Sequence, residues 1–314
     1  MPRTFLGIEI GGTKLQLCLG REDGGITERY RSVVAAADGA AGIRRHIEMA
    51  LRQIKTPFAA LGVGYGGPID WKTGRVCCSH HIEGWNDFPL GEWLEKLAGA
   101  PVFLDNDANV AALGEARHGA AVGFNPSFYV TLGSGVGGGL IVDGAIYHGA
   151  KPGECEIGHI RLDKSGTIVE SQCSGWSLDA KVRALMVAEP EGFLARNASA
   201  TLGGETKLLA PGLAANDAAS ARILFNMADD LALALSHVSQ LLHPEIVVLG
   251  GGVSLIGEPL RLAVESALAK YIMRAHAPGP KIALAKLGED AVPVGALALA
   301  ALRHDDAQGV RHNG

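Results

Sequence analysis

The sequence predicts an α/β protein of two domains. One local unit occurs twice: an apolar run, a glycine turn carrying a hydroxyl, and a second apolar run. Elsewhere apolar strands alternate with amphipathic helices, over 314 residues of which 47% are hydrophobic, enough to bury a sizeable core. In the first copy Thr4–Ile10 leads through Gly11-Gly12-Thr13-Lys14 into Leu15–Leu19; in the second Ser127–Leu132 leads through Gly133-Ser134-Gly135-Val136-Gly137-Gly138 into Gly139–Val142. Neither turn reads as strand-to-helix. Both read as β-hairpins whose tips bare backbone N–H groups, and two such tips facing each other would grip a chain of phosphates, as a nucleotide-using enzyme requires.

The elements follow in order. Strands are expected over 4–10, 15–20 and 26–34, the last two joined by the turn Glu22-Asp23-Gly24-Gly25. A helix over 38–54 precedes strand 61–65, which ends at Gly66-Gly67-Pro68. A helix near 90–97 leads to strand Val102-Phe103-Leu104, which stops at Asp105-Asn106-Asp107, and Ala108–His118 resumes as a helix. Residues 189–212, rich in Gly, Pro and Ala, read as a loop or insertion. The clearest helix runs from Asp217 to Leu242: Ile223, Met227, Leu231, Leu235 and Val238 recur at steps of three or four, Asn216 or Asp217 caps its start, and His243-Pro244 ends it. Strand Glu245–Leu249 empties into Gly250-Gly251-Gly252, and Gly295-Ala296 opens a last, alanine-rich helix.

Composition narrows the function classes. The net charge is −5 without a block of like charges, which argues against nucleic acid or an anionic membrane as the main partner. The five cysteines are odd in number and form no C-x-x-C, the usage of a reduced, cytoplasmic chain. No signal-peptide layout and no transmembrane run is found.

Four groups of residues carry chemistry. Glycines at the first hairpin let backbone amides approach an anion, Thr13 adds a hydroxyl and Lys14 a charge, and Glu9 can hold a Mg²⁺-bound water or orient a phosphate. Gly250-Gly251-Gly252 suits a flat base or ribose against bare backbone; it also reads as a tight strand-to-helix turn. In Asp105-Asn106-Asp107 one side chain caps the following helix, or one caps while a carboxylate projects as general base. Glu154-Cys155-Glu156-Ile157-Gly158-His159 and Val169-Glu170 supply acceptors suited to a polyol ring, or form a solvated loop. A structural zinc site would want about three cysteines and a histidine closely spaced. Downstream of His159 only Cys173 follows, with Ser174 and Trp176 after it, so no zinc is expected.

At these residues the chain resembles the ROK family of sugar kinases, within the actin-like ATPase superfamily. The matching pieces are Gly7-Ile8-Glu9-Ile10-Gly11-Gly12-Thr13-Lys14, Gly64-Tyr65-Gly66-Gly67-Pro68, Gly84-Trp85, Asn106-Asp107-Ala108-Asn109, Leu132 through Gly139, Glu156-Ile157-Gly158-His159 and Pro244 through Gly252, in the family's order to about residue 300. The resemblance implies two actin-like (ribonuclease H-like) lobes, each a mixed sheet flanked by helices, with a cleft between. Residues 1–108 would form the first lobe, 109–295 the second, and a helix over about 296–312 would pack back on the first. It implies ATP with Mg²⁺ as phosphoryl donor, a hexose as acceptor, and a cytoplasmic homodimer. Asp107 would be the base on the 6-hydroxyl, and Asn106, Gly66 and Gly67 would line the sugar pocket. Glu156, His159 and Glu170 would hold the anomeric end. Gly11, Gly12, Thr13 and Lys14 would face the γ-phosphate, with Glu9 reaching Mg²⁺ through water. Gly133, Ser134 and Gly135 would take the other phosphate face, and Gly251 and Gly252 would lie by adenosine.

Two departures stand out. Glu9 occupies the family's usual Asp position, keeping the charge and adding one methylene. The C-x-C-G-x-x-G-C zinc motif of many members is replaced by Val169-Glu170-Ser171-Gln172-Cys173-Ser174-Gly175-Trp176, closer to the zinc-free glucokinases, which leaves His159 for a sugar hydroxyl. Glucose is the expected acceptor; fructose, mannose or an N-acetylated amino sugar also fits these residues. Polyphosphate as donor would want a long basic track, which is not seen. A repressor of the family would carry a helix-turn-helix ahead of the first strand, where only three residues stand. A non-catalytic sugar sensor is the remaining reading from another class.

Overall fold

The computed structural model describes residues 3–11, 14–33, 39–77, 84–151, 153, 155–198 and 202–309. The expected hairpins form. Strands β1 (Thr4–Ile10) and β2 (Lys14–Arg21) pair antiparallel in the register Ile10↔Leu15, and β3 (Ile26–Val33) extends the meander. Helix α1 (Gly39–Gln53) precedes β4 (Leu61–Tyr65), which lies parallel to β1; a small hairpin, β5 (Ile69–Asp70) and β6 (Arg75–Val76), follows. Then come α2 (Leu90–Ala98), β7 (Val102–Asn106) and α3 (Asp107–His118). Strand β7 runs two residues past the expected Leu104, because Asp105 and Asn106 continue the ladder opposite Gly64 and Tyr65.

The chain continues through β8 (Ser127–Leu132), β9 (Val136–Val142), β10 (Ala145–Ile146), α4 (Val169–Cys173) and α5 (Gly175–Ala188). The segment expected as a loop carries α6 (Phe193–Arg196) and α7 (Leu209–Ala214), short helices whose Leu194 and Leu209 are buried, so tertiary packing overrides the weak local signal. Helix α8 (Ala218–Leu242) starts on Asp217, whose carboxylate accepts from Ser220 N–H at 2.8 Å, and all five of its periodic apolar residues are buried. Next are β11 (Ile246–Gly250), α9 (Glu258–Leu268), β12 (Lys281–Leu284) and α10 (Ala291–Gln308). Helix α10 begins before the expected Gly295. Pro293 stands in its first turn, where backbone N–H groups have no intrahelical partner to lose.

Two mixed five-stranded sheets result, ordered β3-β2-β1-β4-β7 and β10-β9-β8-β11-β12. The chain divides into two compact units: Met1–Val122 with Gly139–Glu154 and Glu289–Gly314, and Gly123–Gly138 with Cys155–Gly288. Among the described residues no helix is long and apolar enough to cross a membrane.

In the first unit α10 lies against β1, β4 and α3 at backbone distance. A Cβ at Gly7 would stand 2.9 Å from Pro293 O and one at Gly114 2.5 Å from Ala291 O. A Cβ at Gly62 or Gly295 would collide with the carbonyl of Ala296 or Val110. Alanine normally favours a helix interior over glycine by about 1 kcal/mol. At Gly295 the sign reverses, since two rigid backbones would have to part. Gly295→Ala is expected to lower stability by about 1–3 kcal/mol, read as a lower denaturation midpoint; an unchanged or higher midpoint contradicts this packing.

Candidate active site

In the first unit three parallel strand ends make the candidate site. Ile10, Tyr65 and Asn106 are register neighbours at the C-terminal ends of β1, β4 and β7. Loops leaving such ends converge on one edge, where open α/β sheets bind ligands. Gly11, Gly66 and Asp107 are the first residues out. Gly66 N–H donates to Ile10 O at 2.8 Å, and a Cβ on Gly66 would meet Asp107 Oδ2 at 3.2 Å, Ile10 O at 3.3 Å and Gly11 Cα at 3.5 Å. Glycine there lets the Asp107 carboxylate, the first hairpin and the Gly66-Gly67 turn crowd together.

The side chain of Asn106 turns strand into helix. Its Oδ1 accepts from Ala108 N–H at 2.8 Å and Asn109 N–H at 3.4 Å, capping α3, while its Nδ2 donates to Gly67 O at 3.4 Å. Asp107 is thereby the first helical residue. Of Asp105, Asn106 and Asp107, it is Asn106 that caps.

At the first hairpin Gly11 N–H donates to Lys14 O at 2.8 Å, closing a two-residue loop. That loop is Gly12-Thr13, which lies outside the described residues. Glu9 faces Gln16 across the ladder and accepts from its Nε2; Lys14 Nζ is 3.5 Å from the same carboxylate oxygen. Gln16 is fully buried, and its Oε1 accepts from Arg29 Nη1 at 3.1 Å and Arg31 Nε at 3.4 Å. Arg29 goes on to Asp290 at 2.6 Å, ahead of α10. Burial pushes the Glu9 carboxyl above its ordinary range, with Gln16 and Lys14 opposing. The extra methylene of Glu9 is therefore accommodated by a cross-strand amide donor.

The second unit gathers its expected residues around the second hairpin. Gly133 N–H donates to Gly135 O at 2.9 Å, while the amides of Ser134 and Gly135 take no partner among the described residues; Ser134 is exposed. Gly175 N–H donates to Gly133 O at 2.7 Å, which sets the start of α5, capped by Ser174, against the tip. Gly251, at φ +79°, places its Cα where a Cβ would stand 2.6 Å from Leu132 O, and at Gly252 a Cβ would meet open space. Gly158 packs on Val136 so closely that a Cβ would collide with its carbonyl, which lays the short 3₁₀ turn Ile157–His159 on β9, with Glu156 and His159 exposed at its ends. Glu170 Oε2 accepts from Val136 N–H at 2.9 Å, so one oxygen of this expected sugar ligand braces the hairpin.

Three features escape sequence reading. Gln16 looks like an ordinary polar strand residue, and only its burial reveals its part. Ser174 and Gly175 are noticed in the sequence for the missing zinc motif, not for their place beside the hairpin. His148, outside every motif, meets Asp105 at 2.6 Å. Cys173 is fully buried, its thiol contacts Met227 O at 3.5 Å, and burial pushes it up to about 12, the setting of a core residue. Among the described residues no group of three His, Cys, Asp or Glu side chains could hold a metal.

The chain is similar to known proteins along nearly its whole length. The model of the ROK family matches residues 5–303. The chain is 31% identical to a glucokinase of Halalkalibacterium halodurans over 309 residues, 93% of each chain. It is 30% identical to a glucokinase of Thermotoga maritima over 311 residues, 95% of this chain and 98% of the other. A crystal structure of a ROK family glucokinase from Streptomyces griseus in complex with glucose and AMPPNP superposes with a TM-score of 0.84 at 28% identity, covering 95% of this chain and 99% of that one. With its two mixed sheets, its two glycine hairpins and this match from the first strand to the last helix, the chain belongs to the ROK family.

Proposed function

We propose that this protein is an ATP-dependent sugar kinase that transfers the γ-phosphoryl group to the 6-hydroxyl of glucose, with Asp107 as general base. The observation that carries the reading is the meeting of Asp107, Gly66 and Gly11 at three parallel strand ends: a carboxylate at a helix start beside a glycine hairpin. The glucokinase relatives, aligned over more than nine-tenths of the chain, support ATP and a sugar as the two substrates. The same resemblance carries the expectation of a cytoplasmic homodimer.

A sugar hydroxyl is a poor nucleophile at neutral pH. As its oxygen attacks phosphorus, its proton passes to Asp107, late in a loose transition state where the carboxylate first positions the hydroxyl and then accepts. Asn106 holds a neighbouring hydroxyl with the amide that also bonds Gly67 O. Glu156, His159 and Glu170 bind the hydroxyls toward the anomeric end. The amides of Ser134 and Gly135 and the Gly11–Lys14 hairpin take phosphate oxygens, and the bare backbone at Gly251-Gly252 takes adenosine. Glu9, whose carboxylate is held by Gln16 and Lys14, would reach Mg²⁺ through water, and the ion would supply positive charge at the phosphates.

Three expectations follow from these roles. With Mg-ATP and a panel of hexoses and N-acetylated hexosamines, ADP release depends on sugar and is most efficient with glucose; no sugar-dependent ADP with any of them overturns the kinase reading, and higher kcat/KM for another sugar overturns glucose. Asp107→Asn lowers kcat by about 10²–10⁴-fold with glucose affinity nearly unchanged, whereas a loss within a few-fold removes Asp107 as base. Gly135→Ala sets a Cβ 2.5 Å from Glu170 Oε2 and displaces that carboxylate. Its KM for glucose should rise by roughly tenfold, the loss of about one hydrogen bond to a charged group, and an unchanged KM removes Glu170 from the sugar site.

A further inference from the structure

The segment that aims Asp107 is itself held from behind. Asp105 has no part in binding or proton transfer above, yet it is 2% exposed and bonded on both oxygens. Its Oδ1 accepts from Asn106 N–H at 2.9 Å and from Asn109 Nδ2 at 2.9 Å, one donor on each side of Asp107 in the chain. Its Oδ2 meets His148 Nε2 at 2.6 Å. A carboxylate already held by two N–H donors is an acceptor, so His148 Nε2 carries the shared proton. The His148 side chain is 8% exposed, and its ring stacks on Trp71 with centroids 4.0 Å apart and planes 16° apart. The Arg303 guanidinium, 5.3 Å from the indole centroid, and Lys72 Nζ at 5.1 Å attend the same indole. The stack sets the plane of the imidazole and with it the direction of Nε2. Asn109 Nδ2 also donates to Gly153 O at 3.2 Å, tying the segment that carries His148 to the first turn of α3.

We propose that His148, seated on Trp71, is a positioning residue for phosphoryl transfer: by holding Asp105 it fixes the strand-to-helix turn that aims Asp107. The inference rests on Asp107 being the base. Without the imidazole donor a buried carboxylate oxygen loses its partner, and the group recovers one only by rotating away from Asn106 N–H or Asn109 Nδ2. Either rotation loosens the backbone around Asp107. A shift of about 1 Å in a reacting group costs as much as 10²-fold in rate. Because the sugar-binding side chains keep their chemistry, the loss falls on kcat more than on KM.

The test uses the full chain. His148→Phe keeps a ring that can stack on Trp71 and removes the donor; His148→Gln restores an N–H donor without the ring; Trp71→Leu removes the stack and keeps the donor. Expected for His148→Phe is a fall in kcat of roughly 10- to 100-fold, a change in KM for glucose below about threefold, and faster hydrogen exchange at the Asn106 amide. His148→Gln should recover most of kcat, and Trp71→Leu should show the same pattern in weaker form. A kcat within twofold of the parent in folded His148→Phe, or a loss that falls on KM alone, overturns the proposal. If His148→Phe does not fold, Trp71→Leu decides by the same criteria. A parent chain that releases no ADP with any hexose defeats the kinase reading instead, and unchanged exchange at Asn106 in His148→Phe still defeats the proposal.

Discussion

The capping of α3 by Asn106 is the interaction on which the site depends. One side-chain oxygen takes two orphan amides, so the chain passes from β7 into a helix without an intervening loop. A loop would leave the next side chain free to wander; a capped first turn does not. Asp107 inherits its direction from that turn, and its closeness to the first hairpin follows from the parallel register of β1, β4 and β7. Asp105, on the other side of Asn106, stiffens the same turn through the hydrogen bond it accepts from Asn109.

Backbone packed on backbone is the second constraint. Helix α10 approaches β1 and β4 through Gly7 and Gly62, and α3 meets it through Gly114 and Gly295. Gly139 gives α3 the same freedom on β9: a Cβ there would stand 2.8 Å from Ala108 O and 3.0 Å from Asn109 Cα. Close-packed interiors resist even one added methyl group, so these glycines set the depth at which the first turn of α3 sits. The same logic governs the second hairpin, where Gly158, Gly175 and Gly251 crowd its strands and tip while the amides of Ser134 and Gly135 take no partner among the described residues.

Much of this was legible in the amino-acid sequence because it is local. An apolar run into Gly-Gly-Thr and out again is a hairpin on its own evidence, and the periodic residues of α8 declare their face. Asp105-Asn106-Asp107 after an apolar run announces a strand end and a helix start, with the cap left open between its members. Helix α10 starts four residues before the expected Gly295, with Pro293 in a first turn that tolerates it. Helices α6 and α7 form because Leu194 and Leu209 find a core, a fact no local pattern carries. What escaped is what depends on distant partners: Glu170 with Val136, 34 residues apart, and His148 with Asp105, 43 apart. Gln16 escaped for another reason. Its partner Glu9 is near in sequence, but only the ladder shows that the two side chains share one face and that burial forces them together.

If Asp107 is the base, the fold must aim one carboxylate at one hydroxyl. A structure of this chain with glucose and a non-hydrolysable ATP analogue measures that directly. A carboxylate oxygen of Asp107 is expected within hydrogen-bond reach of the 6-hydroxyl oxygen, about 2.6–3.2 Å. A 6-hydroxyl that lies beyond about 4 Å from Asp107, or another sugar hydroxyl turned toward the γ-phosphate, would contradict it.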